Sequence, residues 1–309
     1  MEKKVLMAVD DSIYSNQSLR YATHILSGSK DVTFTLFHAQ PMISQYLLDE
    51  ARTDPKANAS LKKVIKKNTA EAHMLLKKQK ERMITMGVPN KRIEVVAQPR
   101  MIGRSKDILE YARKGIYDAI VVGRRGLSRI QKTFMGSTSA DLLENADVIP
   151  VWMVDGDVTS QRILVAVDGS ESSYRALDHV KFMLSENPEI KYSLFHVSPD
   201  AEDIDAISLG KDDPDIQDMV AKGSERLIRK FFSDAEQQLK NADIAAGRIE
   251  IKTTKRKARV GKMILEEAKK GNYGTVVVGR RGADRAHFFG SVSRYVTQRI
   301  TDRALWLVS

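Results

Sequence analysis

The feature of this sequence that most constrains its fold is an internal duplication. Two long stretches recur: "KVLMAVDDSIYSNQSLRYA" at 4–22 as "RILVAVDGSESSYRALDHV" at 162–180, and "KGIYDAIVVGRRG" at 114–126 as "KGNYGTVVVGRRG" at 270–282. A repeat this long corresponds to a whole domain and not to one unit of a solenoid. We therefore expect two copies of one domain, at 1–155 and 160–309. The polar, glycine-containing stretch "DGDVTSQ" would link them.

Each copy alternates short apolar runs with helical patterns. In the first copy the predicted strands are 5–9, 32–37, 93–97, 119–122 and 150–154. Helices are predicted after the first strand, over 58–87, over 105–114 with Ser105 as the cap, and from Gly136 onward. Strand–helix alternation is typical of a parallel sheet covered on both faces. The predicted fold class is α/β: two tandem doubly wound domains, each with a five-stranded parallel sheet in the order 3-2-1-4-5.

Composition narrows the functional classes. The chain has no cysteine, which excludes disulfides, thiolate metal sites and a cysteine nucleophile. No apolar run approaches the length needed to span a bilayer, so we expect a cytoplasmic protein without a membrane partner. The formal net charge of +10 is spread among acidic residues. No nucleic-acid-binding motif accompanies it, so an anionic small ligand is favoured over nucleic acid.

A glycine-rich segment, "GRRGLSRIQKTFMGSTS", follows the fourth predicted strand directly. In open α/β sheets, ligands bind beyond the carboxyl ends of the strands. Gly123 would let a ligand approach the backbone, and Gly126 would permit a second tight turn. Gly136 to Ser139 would open a helix whose free N–H groups favour an anion. The alternative is that the glycines only form turns and that Ser137 only caps the helix.

An aspartate ends the first predicted strand of each copy, Asp10 in one and Asp168 in the other. This position faces the crevice between the first and fourth strands, which favours ligand contact. An Asx-turn or a helix cap is the structural alternative.

These stretches together resemble the universal stress protein family. "VLMAVDDS", "LFHAQP", "DAIVVGRRG" and "MGSTSADLL" carry the resemblance, and it covers essentially the whole chain twice. The family's nucleotide pattern is G-x2-G-x9-G-(S/T), which Gly123, Gly126, Gly136 and Ser137 match. The chain is thus similar to a tandem universal stress protein.

The resemblance implies a ligand and a set of contacts. Nucleotide-binding members of the family bind ATP, often with a divalent ion, so ATP and possibly Mg²⁺ are the expected ligands. The residues implied for the first copy are Asp10 and the backbone of Ala39 at the adenine, Val122, Gly123 and Gly126 at the ribose, and Gly136, Ser137, Thr138 and Ser139 at the phosphates.

The second copy departs from the pattern. Only seven residues separate Gly282 from Gly290, where the first copy has nine. The aligned residues are Asp168, Val197, Val278, Gly279, Gly282, Gly290, Ser291, Val292 and Ser293. The shorter loop leaves open whether this copy binds nucleotide.

Several further expectations follow from position. Arg124, Arg125, Arg129 and Lys132, with Arg280, Arg281 and Arg285 in the second copy, surround the expected phosphate region, where they would steer a triphosphate or form a solvated face. His38 and His196 are expected to be packed or hydrogen-bonded at strand ends. The segment 44–60 could be a lid or a flexible connection.

No catalytic residue and no metal ligand set stands out, because the sequence holds no Walker, nucleophile-elbow or His-acid motif. We therefore expect binding, with at most slow hydrolysis or autophosphorylation. The expected role is a nucleotide-dependent stress-response regulator with an unidentified regulatory protein partner. The edges of the last strands could pair as an internal pseudo-dimer, and a homo-oligomer is possible. The alternatives are an interaction module without nucleotide and a slow ATPase.

Overall fold

The computed structural model describes residues 2–125, 135–198, 214–280 and 290–309, without the side chains of 214–218, 220 and 221. The chain divides into two compact units. Unit 1 comprises Met1–His24 and Asp31–Asp155, and unit 2 comprises Ile25–Lys30 and Gly156–Ser309. Each unit contains one of the two sequence copies that the duplication predicts.

Unit 1 contains five parallel strands. The strands are β1 (Lys3–Ala8), β2 (Val32–Gln40), β3 (Ile93–Pro99), β4 (Ala119–Gly123) and β5 (Val151–Val154), and the helices are α1 (Ile13–Ile25), α2 (Gln45–Thr53), α3 (Pro55–Thr85), α4 (Arg104–Lys114) and α5 (Ser137–Asn145). The strand order is β3-β2-β1-β4-β5. In this register Met7 lies opposite Leu36 on one side and Val121 on the other.

Unit 2 repeats this arrangement. Its strands are β6 (Arg162–Ala166), β7 (Lys191–Ser198), β8 (Ile249–Lys255), β9 (Thr275–Gly279) and β10 (Ala304–Val308), and its helices are α6 (Glu171–Leu184), α7 (Pro214–Asn241), α8 (Val260–Lys270) and α9 (Ser291–Arg299). The strand order is β8-β7-β6-β9-β10, again parallel throughout. The predicted fold class and strand order are confirmed in both units.

The central strands form the core of each unit. Val5, Leu6 and Met7 in β1 are fully buried, as are Val276 and Val277 in β9. A parallel sheet covered on both faces buries every residue of its inner strands, which explains why these strands read as continuous apolar runs. Trp152 in β5 and Trp306 in β10 are also fully buried, and the ring of Trp306 lies 5.4 Å from that of His179 within unit 2.

Local structure differs from the sequence prediction at three places. The segment 44–60 is helical: α2 ends at Thr53, and the Asp54 carboxylate caps α3 by accepting N–H bonds from Lys56 and Ala57. Ser105 lies inside the first turn of α4, after the N-cap Gly103. Gly123 is the last residue of β4 and not the first residue after it. Of the counterpart segment 202–218, the structure describes only the backbone from Pro214 onward.

The turn into the fourth strand recurs in both units. Ile116 has φ 53° between α4 and β4, and Asn272 has φ 49° between α8 and β9. In unit 1, a Cβ atom at Gly115 would lie 2.4 Å from Cε2 of Tyr117, so the tyrosine ring covers the end of α4. The hydroxyl of Tyr117 donates to Oγ1 of Thr35 at 2.9 Å. This turn fixes where β4 starts and therefore where its carboxyl end delivers Gly123.

Candidate functional site at the carboxyl ends of the strands

Asp10 forms a hydrogen-bonded turn directly after β1. Its Oδ1 accepts the N–H of Ser12 at 3.0 Å and the hydroxyl of Ser15 at 2.7 Å. The Asp10 N–H donates to Oγ of Ser15 at 2.9 Å. Oγ of Ser12 accepts the Ser15 N–H at 3.2 Å, which caps α1. The carboxylate is therefore held in one orientation at the start of α1.

Unit 2 builds the same turn after β6. Oδ1 of Asp168 accepts the N–H of Ser170 at 3.0 Å and the hydroxyl of Ser173 at 2.8 Å, and the Asp168 N–H donates to Oγ of Ser173 at 2.9 Å. The Asx-turn alternative is thus realised in both units. A structural role through Oδ1 accounts for both aspartates, and their contact with a ligand stays a prediction.

The strand-end histidines are hydrogen-bonded, as expected. Nδ1 of His38 lies 2.8 Å from the carbonyl oxygen of Val9, and Nδ1 of His196 lies 2.9 Å from that of Val167. A carbonyl only accepts, so each ring carries its proton on Nδ1. Burial lowers the pKa of His196, opposed by the Val167 carbonyl and the charge of Asp168. Both rings tie the loop after the first strand to the second strand.

Gly123 is required by the packing of α1 against β4. A Cβ atom there would lie 2.7 Å from Cβ of Tyr14 and 2.8 Å from its carbonyl carbon and oxygen. The first turn of α1 therefore approaches Gly123 closely, which by itself requires a glycine here, and contact of a ligand with the Gly123 backbone stays a prediction. The Gly123 carbonyl also accepts the hydroxyl of Ser139 at 2.7 Å, so this one residue joins β4, α1 and α5.

Helix α5 begins where the sequence predicts a helix start, and its N-cap is Gly136 and not Ser137. Gly136 has φ −63° and ψ 144°, and no side chain caps the helix. Its N–H donates to the Arg124 carbonyl at 2.9 Å. Ser137 is exposed, whereas Ser139 is buried. The donated bond to Gly123 uses the Ser139 hydroxyl inside the fold, so the expected phosphate contact of that hydroxyl is not supported.

Helix α9 starts in the same way, despite its shorter preceding loop. Gly290 has φ −62° and ψ 149°, and its N–H donates to the Arg280 carbonyl at 3.0 Å. Oγ of Ser293 lies 2.9 Å from that same carbonyl and 2.9 Å from the carbonyl of Gly290. Ser291 is exposed and Ser293 buried, as in α5. The geometry of the helix start is therefore common to both units.

The two arginines after β4 have different environments. Arg124 is 2% exposed, and its Nη1 lies 3.4 Å from Oδ2 of Asp155. The expectation that Arg124 steers phosphate, or forms a solvated face, is wrong, because its guanidinium is buried in an ion pair. Nη1 of Arg125 donates to the hydroxyl of Tyr14 at 3.1 Å, and its guanidinium lies 5.5 Å from the centre of that ring. Arg280 in unit 2 is 5% exposed.

Tyr14 is a site residue that the sequence analysis missed. It packs on Gly123 and also positions Arg125. The signal available in the sequence is a difference between the copies, because the aligned residue in unit 2 is Ser172. The Tyr14–Arg125 pair is thus specific to unit 1.

The structure brings most of the predicted residues to one edge of each sheet. The carboxyl ends of the adjacent strands β2, β1 and β4, with the start of α5, hold Ala39, Asp10, Val122, Gly123, Gly136, Ser137, Thr138 and Ser139. The corresponding edge of unit 2 holds Val197, Asp168, Val278, Gly279, Gly290, Ser291, Val292 and Ser293. The predicted residues outside the described part of the chain are Gly126, Arg129, Lys132, Arg281, Gly282 and Arg285.

Two other features are absent from the described ranges. Within the ranges that the structure covers, no three His, Cys, Asp or Glu side chains group as metal ligands would. Among the helices in those ranges, none has the length and apolarity to cross a membrane.

Fold and site together define a tandem α/β protein in which each unit presents an aspartate turn and a glycine-capped helix start at the carboxyl edge of its sheet. A family model described as the universal stress protein family matches residues 1–155 and again 159–301. The chain belongs to the universal stress protein family, as the sequence motifs predict.

Individual relatives agree with this assignment. A universal stress protein of Mycolicibacterium smegmatis is 26% identical over 317 residues, which cover 97% of this chain and 95% of the relative. The crystal structure of a universal stress protein from Archaeoglobus fulgidus is similar in fold, with a TM-score of 0.66 and 20% identity over 99% of this chain and 98% of that one. A functionally unknown protein from Pseudomonas aeruginosa PAO1 is similar with a TM-score of 0.59 and 12% identity, over 99% and 92% of the two chains.

Proposed function

We propose that this chain is an ATP-binding universal stress protein whose nucleotide occupancy regulates a stress response. The observation that carries the proposal is the start of α5. Its cap is a glycine, so no side chain accepts the N–H groups of the first turn. Such a helix start, with its dipole, suits a phosphate group. It follows a parallel strand at the edge where α/β proteins bind ligands.

The proposed cradle is mainly main chain. The N–H groups of Ser137, Thr138 and Ser139 would take the phosphates, and the exposed hydroxyl of Ser137 could add one contact. Asp10 and Ala39 would border the base at the ends of the neighbouring strands. Mg²⁺, when bound, would neutralise phosphate oxygens. In this proposal Arg125 supplies positive charge to unit 1 from the position that Tyr14 gives it.

We include unit 2 in the proposal as a second cradle. Gly290 caps α9 as Gly136 caps α5, with nearly the same φ and ψ. Unit 2 lacks the counterpart of Tyr14, so a nucleotide there would bind without an arginine held in this way. We therefore expect weaker binding in unit 2 than in unit 1.

A second candidate function is an interaction module that binds no nucleotide. It is favoured by one observation: Asp10, Gly123 and Ser139 each have a structural role that needs no ligand. In that case the duplicated edge would be retained for its packing alone. ATP hydrolysis is not the main role in either candidate function, because regulation through nucleotide occupancy needs no turnover.

Isothermal titration with ATP and Mg²⁺ separates these candidates when it is combined with Ser137→Asp. A carboxylate in the first turn of α5 favours the helix through its dipole, so the variant should fold. The same charge would repel phosphate at the proposed cradle. We expect wild type to bind ATP and Ser137→Asp to lose the tighter site.

Ser291→Asp is the matched control, because Ser291 is the exposed residue at the same place in α9. It should leave the tighter site intact and remove any weaker one. If the wild-type protein gives no heat with millimolar ATP and Mg²⁺, ATP binding is refuted and the interaction module is the remaining candidate function. Equal ATP affinity in wild type and Ser137→Asp would move the ligand away from α5.

A further inference from the structure

The first half of α3 stands off the core of unit 1. None of residues 55–71 is buried. The contacts of α3 with α2 leave some of these side chains partly covered. The buried residues of this helix are all further along it, at Ala72, Leu76, Gln79 and Met83. About 25 Å of helix therefore presents most of its circumference to the surroundings. A helix of this kind gains little from packing, so its surface composition needs another explanation.

This exposed half carries a concentrated positive charge. The residues Lys56, Lys62, Lys63, Lys66 and Lys67, here called the lysine face, are all exposed. At about 100° per residue they fall within an arc of about 140°, whose centre lies about 140° around the helix from that of the buried residues. Asp54 and Glu71, one at each end of 54–71, are the acidic residues of this stretch.

Most of the lysine face has no ion-pair partner in the described part of the chain. Lys67 lies 3.8 Å from Glu71, and both side chains are more than half exposed. Lys62, Lys63 and Lys66 form no ion pair with any described residue. Like charges at i, i+4 on a helix repel, so Lys62 and Lys66 cost stability where they are. An anionic partner would remove that cost.

The composition of the face favours a lipid surface over nucleic acid. It contains lysine and no arginine, and arginine is the residue suited to clamping a nucleic-acid phosphate in two bonds. Two apolar side chains, Val64 and Ile65, lie outside the arc, each about 60° beyond one of its two edges, and are 39% and 43% exposed. A bilayer interface accepts lysine charges among its headgroups and apolar side chains beside them. The phosphate backbone of a nucleic acid would interact with the lysine charges and not with the two apolar side chains.

We propose that the lysine face binds the surface of bilayers rich in anionic phospholipid, so that the protein associates with them reversibly. The sequence analysis expected no membrane partner because no apolar run could span a bilayer, but a contact with the bilayer surface needs no such run. Unit 2 offers a natural contrast, because the stretch after Pro214 reads "PDIQDMVAKG", with two aspartates and one lysine. The proposal does not depend on nucleotide binding.

Vesicle co-sedimentation of the full chain tests this proposal directly. The probes are vesicles of phosphatidylglycerol mixed with phosphatidylcholine, compared with phosphatidylcholine alone. We expect binding only to the anionic vesicles, with loss of binding at high salt because the attraction is screened. The variant Lys62→Gln, Lys63→Gln, Lys66→Gln should lower the partition coefficient by about 100-fold.

The matched control is Lys262→Gln, Lys269→Gln, Lys270→Gln, which removes three exposed lysines from α8 instead. It should bind as wild type does. Circular dichroism and thermal unfolding verify that both variants fold. The proposal is refuted if wild type does not bind anionic vesicles, or if the two variants lose the same amount of vesicle binding. Binding of a DNA duplex that is lost only in the α3 variant, without vesicle binding, would assign the face to nucleic acid.

Discussion

Replacing Ile116 by asparagine should stabilise unit 1. Ile116 has φ 53° and is 81% exposed, so the fold holds a β-branched residue in the left-handed region without burying it. For a residue other than glycine or asparagine this conformation costs about 1–2 kcal/mol. Unit 2 has Asn272 at the same place with φ 49°. Its short polar side chain tolerates that backbone better.

The size of the expected stabilisation depends on the backbone strain relieved and on the apolar burial lost. Little apolar burial is lost at a side chain that is 81% exposed, so relief of strain dominates. We expect the free energy of unfolding of unit 1 to rise by about 1 kcal/mol. For a domain of this size, that raises Tm by about 2–4 °C.

Calorimetry with separate assignment of the two units measures this effect. The reciprocal variant Asn272→Ile should lower the Tm of unit 2 by a similar amount. Val148→Asn is the control, because Val148 is 71% exposed without a positive φ, and it should change Tm little. An Ile116→Asn variant no more stable than wild type, or no different from Val148→Asn, would refute the strain interpretation.

Three further predictions concern packing and protonation. Gly123→Ala should destabilise unit 1 by about 1–3 kcal/mol in urea unfolding, because the new Cβ meets Tyr14, whereas Gly223→Ala, which adds a Cβ in open space on α7, should not destabilise. Ser139→Ala should cost about 1–2 kcal/mol, since it leaves the Gly123 carbonyl without its donor, and an unchanged urea midpoint would contradict this. Burial lowers the pKa of His179 to about 3, so stability should fall as pH drops below 6.5, where the unfolded chain takes up a proton that the folded one refuses. His179→Tyr, which copies Tyr21 of unit 1, should flatten that dependence, and an unaltered pH profile would count against it.

The sequence predicted the elements whose signal is local. The apolar runs at Val5 and Ala119 became inner strands because a covered parallel sheet needs continuous apolar residues. The start of α5 at Ser137 agrees with the start predicted at Gly136 and Ser137, because glycine and serine are both favoured at helix N-termini. The duplication then applied the same assignments to unit 2.

The features that the sequence did not predict depend mostly on contacts between residues that are distant along the chain. The packing of Tyr14 against Gly123 has no local signal, because the two residues lie far apart along the chain. Arg124 looked like a surface residue because its partner, Asp155, is provided by the chain after β5. Ser105 is predicted to cap α4, but the N-cap is Gly103, two residues earlier.

The central claim is that the first turn of α5 accepts the phosphates of ATP. Hydrogen–deuterium exchange with and without saturating ATP and Mg²⁺ tests it most directly, because it reports on the main-chain N–H groups themselves. The account predicts slower exchange in peptides that contain Gly136 to Ser139 and in those around Asp10. Unchanged exchange in the α5 peptides, with or without protection elsewhere in the chain, would contradict it.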